Sequence, residues 1–217
     1  MHIFEQGSGH KTWIKICGIT NLEDARNAVS LGVDALGFVF ASSPRRVEPS
    51  VAREIIRHLS KPLLNVGVFV NQDISEVEKI AAECGLNALQ LHGDEAPEYC
   101  ERFSFSIIKA IRIKGLESLK EMERFPQATL LLDTFQPMQV GGTGISFPWA
   151  IALKAKERRN FILSGGLNPG NVREAVQLVK PFGVDVSSGV ESMPAKKELS
   201  RMVEFVREVK KADENAG

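Results

Sequence analysis

The stretch NFILSGGLNPGNVREAVQLVKPFGVDVSSGVE, residues 160–191, contains a strand, a helix and a second strand in succession. The apolar run NFILS is followed by a glycine turn, and Asn168 with Pro169 then marks the start of a helix. Apolar residues recur along this helix with a helical period, at Val172, Ala175, Val176 and Val179. A second apolar run, GVDVSS, begins at Gly183. This order is typical of two parallel strands joined by a crossover helix.

The same alternation extends along the chain of 217 residues, in which eight short apolar runs are separated by segments of helical periodicity. The runs begin near residues 12, 34, 63, 88, 106, 129, 160 and 183. The repeat therefore averages about 24 residues, close to the minimum for a strand, a helix and two loops. Before the first helix, Thr20 and Glu23 have the spacing of a capping box.

Eight such units predict an α/β protein of one domain, a (β/α)8 TIM barrel over residues 12–213, preceded by a loosely ordered N-terminal extension over residues 1–11. The alternative is an open doubly wound sheet, which usually has roughly five or six strands and a glycine-rich loop after its first strand. Only Gly18 follows the first run here, so the barrel is favoured.

Composition and charge exclude several classes of function. Twenty-seven basic residues balance 27 acidic ones, and no basic patch is interleaved with aromatic residues, so we expect no nucleic acid as partner.

The longest run of apolar residues and glycine, Ala35 to Ala41, is far shorter than the ~20 residues of a membrane-spanning helix, and the first residues do not resemble a secretory signal. We therefore expect a cytoplasmic protein without membrane contact. No helix has a conspicuously apolar outer face, which favours a monomer.

The cysteine and histidine residues lack the spacing of metal ligands. Cys17, Cys84 and Cys100 are odd in number and form no CxxC motif, which argues against disulfides and against a thiolate metal site. Cys84 lies on an apolar helical stripe and Cys100 lies near Tyr99 and Phe103, so both are expected to be core residues. The histidines are not placed as a ligand set either, so no metal is predicted.

In a barrel of this kind the active site forms at the carboxyl ends of the strands, so the last residues of each run and the loop that follows supply the candidates. The polar residues at these places are Cys17, Arg45, Arg46, Asn71, Gln90, His92, Asp133, Ser164, Asp185, Ser187 and Ser188. Arg46 either pairs with a carboxylate or phosphate of a ligand or simply lies at the surface.

Two of these side chains are suited to proton transfer. Asp133 ends the run TLLLD, where lost hydration would raise its pKa. To act as an acid at neutral pH, Asp133 needs a pKa that is higher by roughly three units, which corresponds to ~4 kcal/mol. The alternative is that Asp133 is an ionised carboxylate that caps a backbone turn. Cys17 precedes the first helix, whose N-terminus would lower the thiol pKa and favour a base, although a lone cysteine at a strand end is also a common packing residue.

Three turns containing glycine follow the sixth, seventh and eighth strands: GGTG, SGGL and SSGVE. Glycine lets backbone N–H groups converge on an anion, and the loops after strands 7 and 8 are where such barrels commonly bind phosphate. The residues expected to bind phosphate are Gly142, Gly144, Gly165, Gly166, Ser188 and Gly189.

Strand parity makes a further prediction about the barrel interior. Lys15 shares a face with Cys17, and Asp185 lies on the eighth strand, which neighbours the first once the barrel closes. We expect Lys15 and Asp185 to form an internal ion pair, or Asp185 to contact a substrate instead.

The segments KICGIT, DALGFVF, SPRRV, VGVFVN, LQLHG, LLLDT, GGTG, LSGGLNPGNV and VDVSSGVE occur in this order. Together they resemble the signature segments of the phosphoribosylanthranilate isomerase family of tryptophan biosynthesis, over residues 15–211. The resemblance implies an enzyme, an intramolecular oxidoreductase of the aldose–ketose isomerase type, that needs no cofactor. It implies an Amadori rearrangement of N-(5-phosphoribosyl)anthranilate, a small phosphoribosyl substrate, to 1-(2-carboxyphenylamino)-1-deoxyribulose 5-phosphate.

The resemblance also implies roles for individual residues. Cys17 of KICGIT corresponds to the general base and Asp133 of LLLDT to the general acid. Arg46 of SPRRV is expected near the anthranilate end, and Asp185 of VDVSSG is expected to contact the substrate. Gln90 and His92, which end the fourth strand, are further expected substrate contacts.

One segment departs from the family pattern. After SSGVE the family often has Gly-x-Lys-Asp, whereas this chain has Ala195 in place of the glycine and Glu198 in place of the aspartate. The course of that loop is therefore open. Two other functions remain as alternatives: a different phosphosugar barrel, with Lys109 as the one candidate for a Schiff base, and a barrel that binds a phosphate ligand without turnover.

Overall fold

A computed structural model describes residues 11–59, 61, 63–134 and 149–214. Eight parallel strands pair in chain order, and the eighth pairs with the first, so the sheet closes into a barrel. This confirms the predicted (β/α)8 fold, and the closure excludes the open doubly wound sheet. The barrel strands are β1 (Trp13–Cys17), β2 (Ala35–Val39), β3 (Leu64–Phe69), β4 (Ala88–Leu91), β5 (Ser106–Ile113), β6 (Thr129–Thr134), β7 (Phe161–Leu163) and β8 (Gly183–Val186).

Helical segments follow the strands and cover the outside of the barrel. They are α1 (Leu22–Ser30), α2 (Pro49–Arg57), α3 (Ile74–Cys84), α4 (Pro97–Cys100), α5 (Trp149–Lys156), α6 (Val172–Val179) and α7 (Leu199–Glu214), with 3-10 turns at Leu116–Arg124 and Ser188–Val190. After β8 the chain also forms a small antiparallel hairpin, β9 (Glu191–Met193) with β10 (Lys196–Lys197), before α7 begins. Among the described residues, no helix is long and apolar enough to cross a membrane.

The apolar residues form two separate layers because strand side chains alternate between the two faces of the sheet. The larger layer lies between the barrel and the helices and includes Ile14, Ile16, Leu36 and Phe38. The smaller layer fills the lumen and consists of Ala35, Leu64, Val66, Ala88, Ile108, Ala110, Leu131 and Ile162. Since both faces of each strand are covered, the strands are nearly continuous apolar runs in the sequence.

The start of α1 differs from the predicted capping box. The Asn21 side chain caps the helix, and its Oδ1 accepts a hydrogen bond from the Asp24 backbone N–H at 2.8 Å. The hydroxyl of Thr20 instead donates to the carbonyl oxygen of Ala195 at 2.7 Å. The capping-box prediction was wrong because the Thr20 side chain is used to attach the β9–β10 hairpin, a contact between distant parts of the chain.

Candidate active site

The parity of the strands determines which polar side chains enter the barrel lumen. Lys15 and Cys17 lie on the lumen face of β1, and Asp185 lies on that face of β8 in register with Lys15. Asp133 lies on β6, two residues beyond the lumen residue Leu131. Strands β7 and β8 separate β1 from β6, so the thiol and the carboxyl group stand on different sides of one carboxyl-terminal mouth.

The Cys17 thiol is buried in this mouth against a strand that leaves room for it. Gly37 of β2 is its partner in register, and a Cβ atom added at Gly37 would lie 2.7 Å from Cys17 Sγ. Burial raises the pKa of Cys17; the charges of Lys15 and Lys197 oppose this effect, while that of Asp185 adds to it. The expectation of a lowered pKa for Cys17 was wrong, because removal of the thiolate from water is the largest effect.

Below the thiol, Lys15 and Asp185 form the internal ion pair that parity predicted. Lys15 Nζ lies 2.7 Å from Asp185 Oδ1, and the two side chains are 0% and 6% exposed. The other carboxylate oxygen accepts a hydrogen bond from the Ser164 hydroxyl at 3.2 Å. Burial alone would lower the pKa of Lys15, but Asp185 and Cys17 more than offset it, so that the pKa lies above its ordinary value.

A second chain of polar contacts leads from β4 to Asp133. The Gln90 amide nitrogen lies 2.8 Å from His92 Nδ1, and His92 Nε2 lies 3.0 Å from Asp133 Oδ2. With the amide N–H donating to Nδ1, the ring proton is on Nε2, and Nε2–H forms a hydrogen bond to the Asp133 carboxyl group. Gln90 is itself almost fully buried, and its Oε1 has no hydrogen-bond partner among the described residues. The structure therefore brings together three of the predicted site residues.

The two arginines of SPRRV are placed differently from each other. Arg46 lies at the surface, with its side chain 54% exposed and its guanidinium 3.2 Å from Glu48. It does not join the groups around Cys17 in this structure. Arg45 is mostly buried, and its Nε and Nη2 donate to the two carboxylate oxygens of Glu191 at 2.8 and 2.7 Å.

Arg112 is a residue of the mouth that sequence reasoning missed. It is the register partner of Asp133 on the neighbouring strand, and its Nη2 donates to the carbonyl oxygen of His92 at 3.0 Å. Strand parity in the run SIIKAIRI could have predicted this position, because Arg112 lies two residues beyond Ala110 and so shares its face toward the lumen.

Lys109, the candidate for a Schiff base, lies on the opposite face of the same strand. Its neighbours Ile108 and Ala110 fill the lumen, so Lys109 points toward the outer layer. There its Nζ donates to Glu95 Oε2 at 2.7 Å and to the carbonyl oxygen of Gly93 at 2.7 Å. A buried, ion-paired ammonium outside the lumen has no access to a substrate in the mouth.

The loops after β7 and β8, two of those predicted to bind phosphate, touch each other. Gly165 and Gly166 have positive φ angles of 88° and 68°. A Cβ atom at Gly189 would lie 1.9 Å from the carbonyl oxygen of Leu167, so only glycine allows this approach. Gly142 and Gly144, in the third predicted loop, lie outside the described residues.

Among the described residues, no cluster of three His, Cys, Asp or Glu side chains is arranged to hold a metal ion. A surface cavity of about 350 Å³ lies far from the groups described above, at the amino-terminal starts of β5 and β6. It is lined by Cys100, Phe103, Phe125 and neighbouring residues. Since active sites of such barrels form at the other end, this cavity is not the candidate site.

The closed barrel, with ionisable side chains gathered at its carboxyl-terminal mouth, defines a (β/α)8-barrel enzyme suited to proton transfer. The family model described as N-(5'phosphoribosyl)anthranilate (PRA) isomerase matches residues 14–208. The chain belongs to this family. The resemblance recognised in the sequence is thereby confirmed, together with the isomerase function in tryptophan biosynthesis that it implies.

Individual relatives agree with the family match. An N-(5'-phosphoribosyl)anthranilate isomerase of Desulforudis audaxviator is 54% identical over 184 residues, which cover 83% of this chain and 90% of the relative. One from Geobacter sulfurreducens is 50% identical over 198 residues, covering 91% and 98% of the two chains.

Solved structures show the same similarity. The crystal structure of phosphoribosyl anthranilate isomerase from Thermotoga maritima has a TM-score of 0.87 at 42% identity, over 92% of this chain and 99% of that one. A further structure of the family enzyme, with a TM-score of 0.84 at 40% identity and the same coverage, is a complex with reduced 1-(o-carboxyphenylamino)-1-deoxyribulose 5-phosphate.

Proposed function

We propose that this chain converts N-(5-phosphoribosyl)anthranilate to 1-(2-carboxyphenylamino)-1-deoxyribulose 5-phosphate with Asp133 as general acid and Cys17 as general base. The observation that carries the proposal is the placement of one thiol and one carboxyl group on different sides of the same barrel mouth, with strands β7 and β8 between them. An aldose–ketose rearrangement needs one proton donor and one proton acceptor, and these two groups supply them.

The first step is protonation of the furanose ring oxygen, which opens the sugar to an iminium ion. To act as the acid, Asp133 must carry a proton. His92 Nε2 lies 3.0 Å from Asp133 Oδ2 and so provides a path by which this proton can be exchanged. Rotation of the Gln90 amide would turn its free Oε1 toward Nδ1, so Gln90 is able to support both protonation states of the ring.

In the second step the Cys17 thiolate removes the proton from the carbon next to the iminium. This step gives an enolamine intermediate, which tautomerises to the ketone of the final product. The ammonium group of Lys15 stabilises the thiolate that accepts the proton, since the two charges attract each other in a buried site.

Substrate binding is assigned to groups around this pair. The loops containing Gly165, Gly166, Ser188 and Gly189 are suited to the phosphate because they pack closely and expose backbone, and Gly142 with Gly144 would complete the site. When the substrate is bound, the Arg46 guanidinium would leave Glu48 and bind the anthranilate carboxylate instead. Gln90, His92 and Asp185 would contact the ribose, and remote phosphate binding would hold the ribose against both catalytic groups.

The oligomeric state and the cellular location stay predictions. We expect a monomer in the cytoplasm. The relative from Thermotoga maritima is described as dimeric, with monomers generated from it, so chromatographic mass determination is the relevant measurement for this chain.

The proposal is tested by substitution of the acid and the base. Cys17→Ser and Asp133→Asn are each expected to lower kcat about 100-fold or more, the usual contribution of an acid or a base. Turnover is followed by loss of anthranilate fluorescence with freshly generated aminosugar substrate. Cys100→Ala, a buried cysteine outside the mouth, and Asp94→Asn, an exposed carboxylate, serve as matched controls. A near-normal rate in either active-site variant would remove that residue from its role.

A further inference from the structure

The hairpin that follows β8 carries a buried charged cluster that the reaction scheme above does not use. Glu191 of β9 accepts hydrogen bonds from Arg45 and from Lys197 Nζ, the latter at 2.8 Å. The Lys197 side chain is fully buried, and its Nζ also donates to the carbonyl oxygen of Ser187 at 3.2 Å. A lysine is almost never fully buried unless it is paired, and Glu191 supplies the partner here.

The hairpin is anchored so that this cluster stays beside the barrel mouth. The Lys197 backbone N–H donates to Asp24 Oδ2 at 2.9 Å, and Asp24 is itself buried in α1. On the other side, Arg201 of α7 donates to the carbonyl oxygen of Glu191. The hairpin that carries the ammonium group is therefore held by both α1 and α7.

The same cluster is in contact with the residue that follows the proposed base. Gly18 has a φ angle of 77°, and a Cβ atom there would lie 2.7 Å from Arg45 Cδ and 3.1 Å from Ser187 Oγ. Arg45 and Ser187 are the two groups that connect Gly18 to Glu191 and Lys197. Arg45 thus lies against the residue that follows Cys17, and Lys197 contacts Ser187, which lies beside that same residue.

We propose that Lys197, held by Glu191, is a positioning residue for the reaction, and that its ammonium group stabilises Cys17 in the thiolate form. Lys15 in the lumen and Arg45 above Gly18 are the other cations that face the sulfur, and Asp185 is the anion that faces it. Because the thiol is buried, each of these charges acts through little water and is weakly screened. The inference rests on the proposed role of Cys17 as the base.

The ionisation of the neighbouring groups is consistent with this role. Burial lowers the pKa of Lys197, while Glu191 and Cys17 oppose that effect. Burial would raise the pKa of Glu191, but Arg45 and Lys197 hold it below its ordinary value. The pKa of Lys197 is lowered overall, and the Glu191 carboxylate, 2.8 Å from its Nζ, is the group that favours its charged form most.

The test is the pH dependence of Cys17 alkylation by iodoacetamide, read at the Cys17 peptide by mass spectrometry. Only the thiolate reacts, so the midpoint of the profile reports the ionisation of this thiol without any turnover. For Lys197→Met we expect the midpoint to move to higher pH. At neutral pH, kcat should fall about tenfold with little change in KM, and part of the loss should be recovered as the pH is raised.

Two control variants separate this effect from a general loss of structure. Lys196→Met removes the exposed neighbouring lysine of the same hairpin. Lys109→Met breaks a buried lysine–carboxylate pair of equal quality, 2.7 Å to Glu95, outside the lumen. Both controls should keep the wild-type alkylation midpoint, although Lys109→Met should lower stability. Lys197→Arg, which retains the charge, should restore most of the wild-type profile.

An unchanged alkylation midpoint in folded Lys197→Met would overturn the inference and leave Lys197 as a structural ion pair. If Lys197→Met does not fold, the alkylation midpoints of Lys197→Gln and Lys197→Arg are compared instead, since both side chains are polar and only Arg is charged. Equal midpoints in these two variants would also overturn the inference. Failure of the proposed function is seen separately, as normal turnover in Cys17→Ser.

Discussion

At the scale of single residues, burial and charge act in opposite directions on Cys17. The barrel mouth removes the thiol from water, which raises its pKa, while Lys15 and Lys197 place positive charge near the sulfur and limit that rise. A base must lose its proton before it can accept one. The proposed chemistry therefore depends on how far the cations compensate for the loss of hydration.

This balance predicts the pH dependence of turnover. Since the pKa of Cys17 is raised, the thiol form dominates at neutral pH and the reactive thiolate increases with pH. Because the fraction of the acid that is still protonated falls as the pH rises, we expect kcat/KM of the wild type to rise by less than tenfold per pH unit between about pH 6 and pH 9. The rising limb should persist in the residual activity of Asp133→Asn and be absent from that of Cys17→Ser. The same limb in Cys17→Ser would show that another group causes it.

At the scale of elements, the β9–β10 hairpin contains the departure from the family pattern. Ala195 adopts a left-handed backbone conformation with φ of 67°, in the position where the family often has glycine. The loop thus keeps the turn that a glycine would favour, and the alanine side chain is accommodated with some strain. The carbonyl oxygen of Ala195 still accepts the hydrogen bond from Thr20, which attaches the hairpin to the start of α1.

Replacement of this alanine should therefore be stabilising. We expect Ala195→Gly to raise the free energy of unfolding by about 1 kcal/mol, because relief of the left-handed strain exceeds the entropy cost of glycine. Urea unfolding measures the difference. Ser192→Gly, in the extended backbone of the same hairpin, is the control and should lower the free energy of unfolding instead. A loss of stability in Ala195→Gly would show that the turn is not strained.

At the scale of the whole molecule, polar contacts connect the first strand of the barrel to the last elements of the chain. The Thr12 backbone N–H and hydroxyl donate to the Asp213 carboxylate at 3.0 and 2.6 Å, which joins the start of β1 to the last helix. Inside the lumen, Lys15 of β1 and Asp185 of β8 pair across the seam that closes the sheet. The residues in these contacts are far apart in the chain, so they form only when the barrel is complete.

The buried pair predicts a marked non-additivity in stability. Lys15→Met leaves the Asp185 carboxylate buried without its partner and should cost about 3–5 kcal/mol of unfolding free energy. The double variant Lys15→Met with Asp185→Asn removes both charges and should recover much of that loss. Equilibrium urea unfolding of the wild type, the two single variants and the double variant gives the coupling free energy between Lys15 and Asp185. Lys11→Met, which removes an exposed contact to Asp34, should change stability by less than about 1 kcal/mol. Additive losses in the cycle would contradict a coupled pair.

Local patterns in the sequence were sufficient for the barrel and for much of its mouth. The repeating apolar runs predicted the strands because a strand covered on both faces has to be apolar throughout. Parity alone placed Lys15 and Asp185 on facing positions, and the structure confirms their contact. Arg112 obeys the same parity rule, so it was within reach of sequence reasoning although it was missed.

What the sequence by itself determined is which residues form strands, which face of each strand enters the lumen, and to which family the chain belongs. Only the tertiary structure decided the environment of those residues: the raised pKa of Cys17, the surface position of Arg46, and the attachment of Glu191 and Lys197 beside the barrel mouth. The reason is physical. Periodicity is a local property that neighbouring residues determine, whereas hydration and electrostatic fields depend on groups that come together only when the chain is folded.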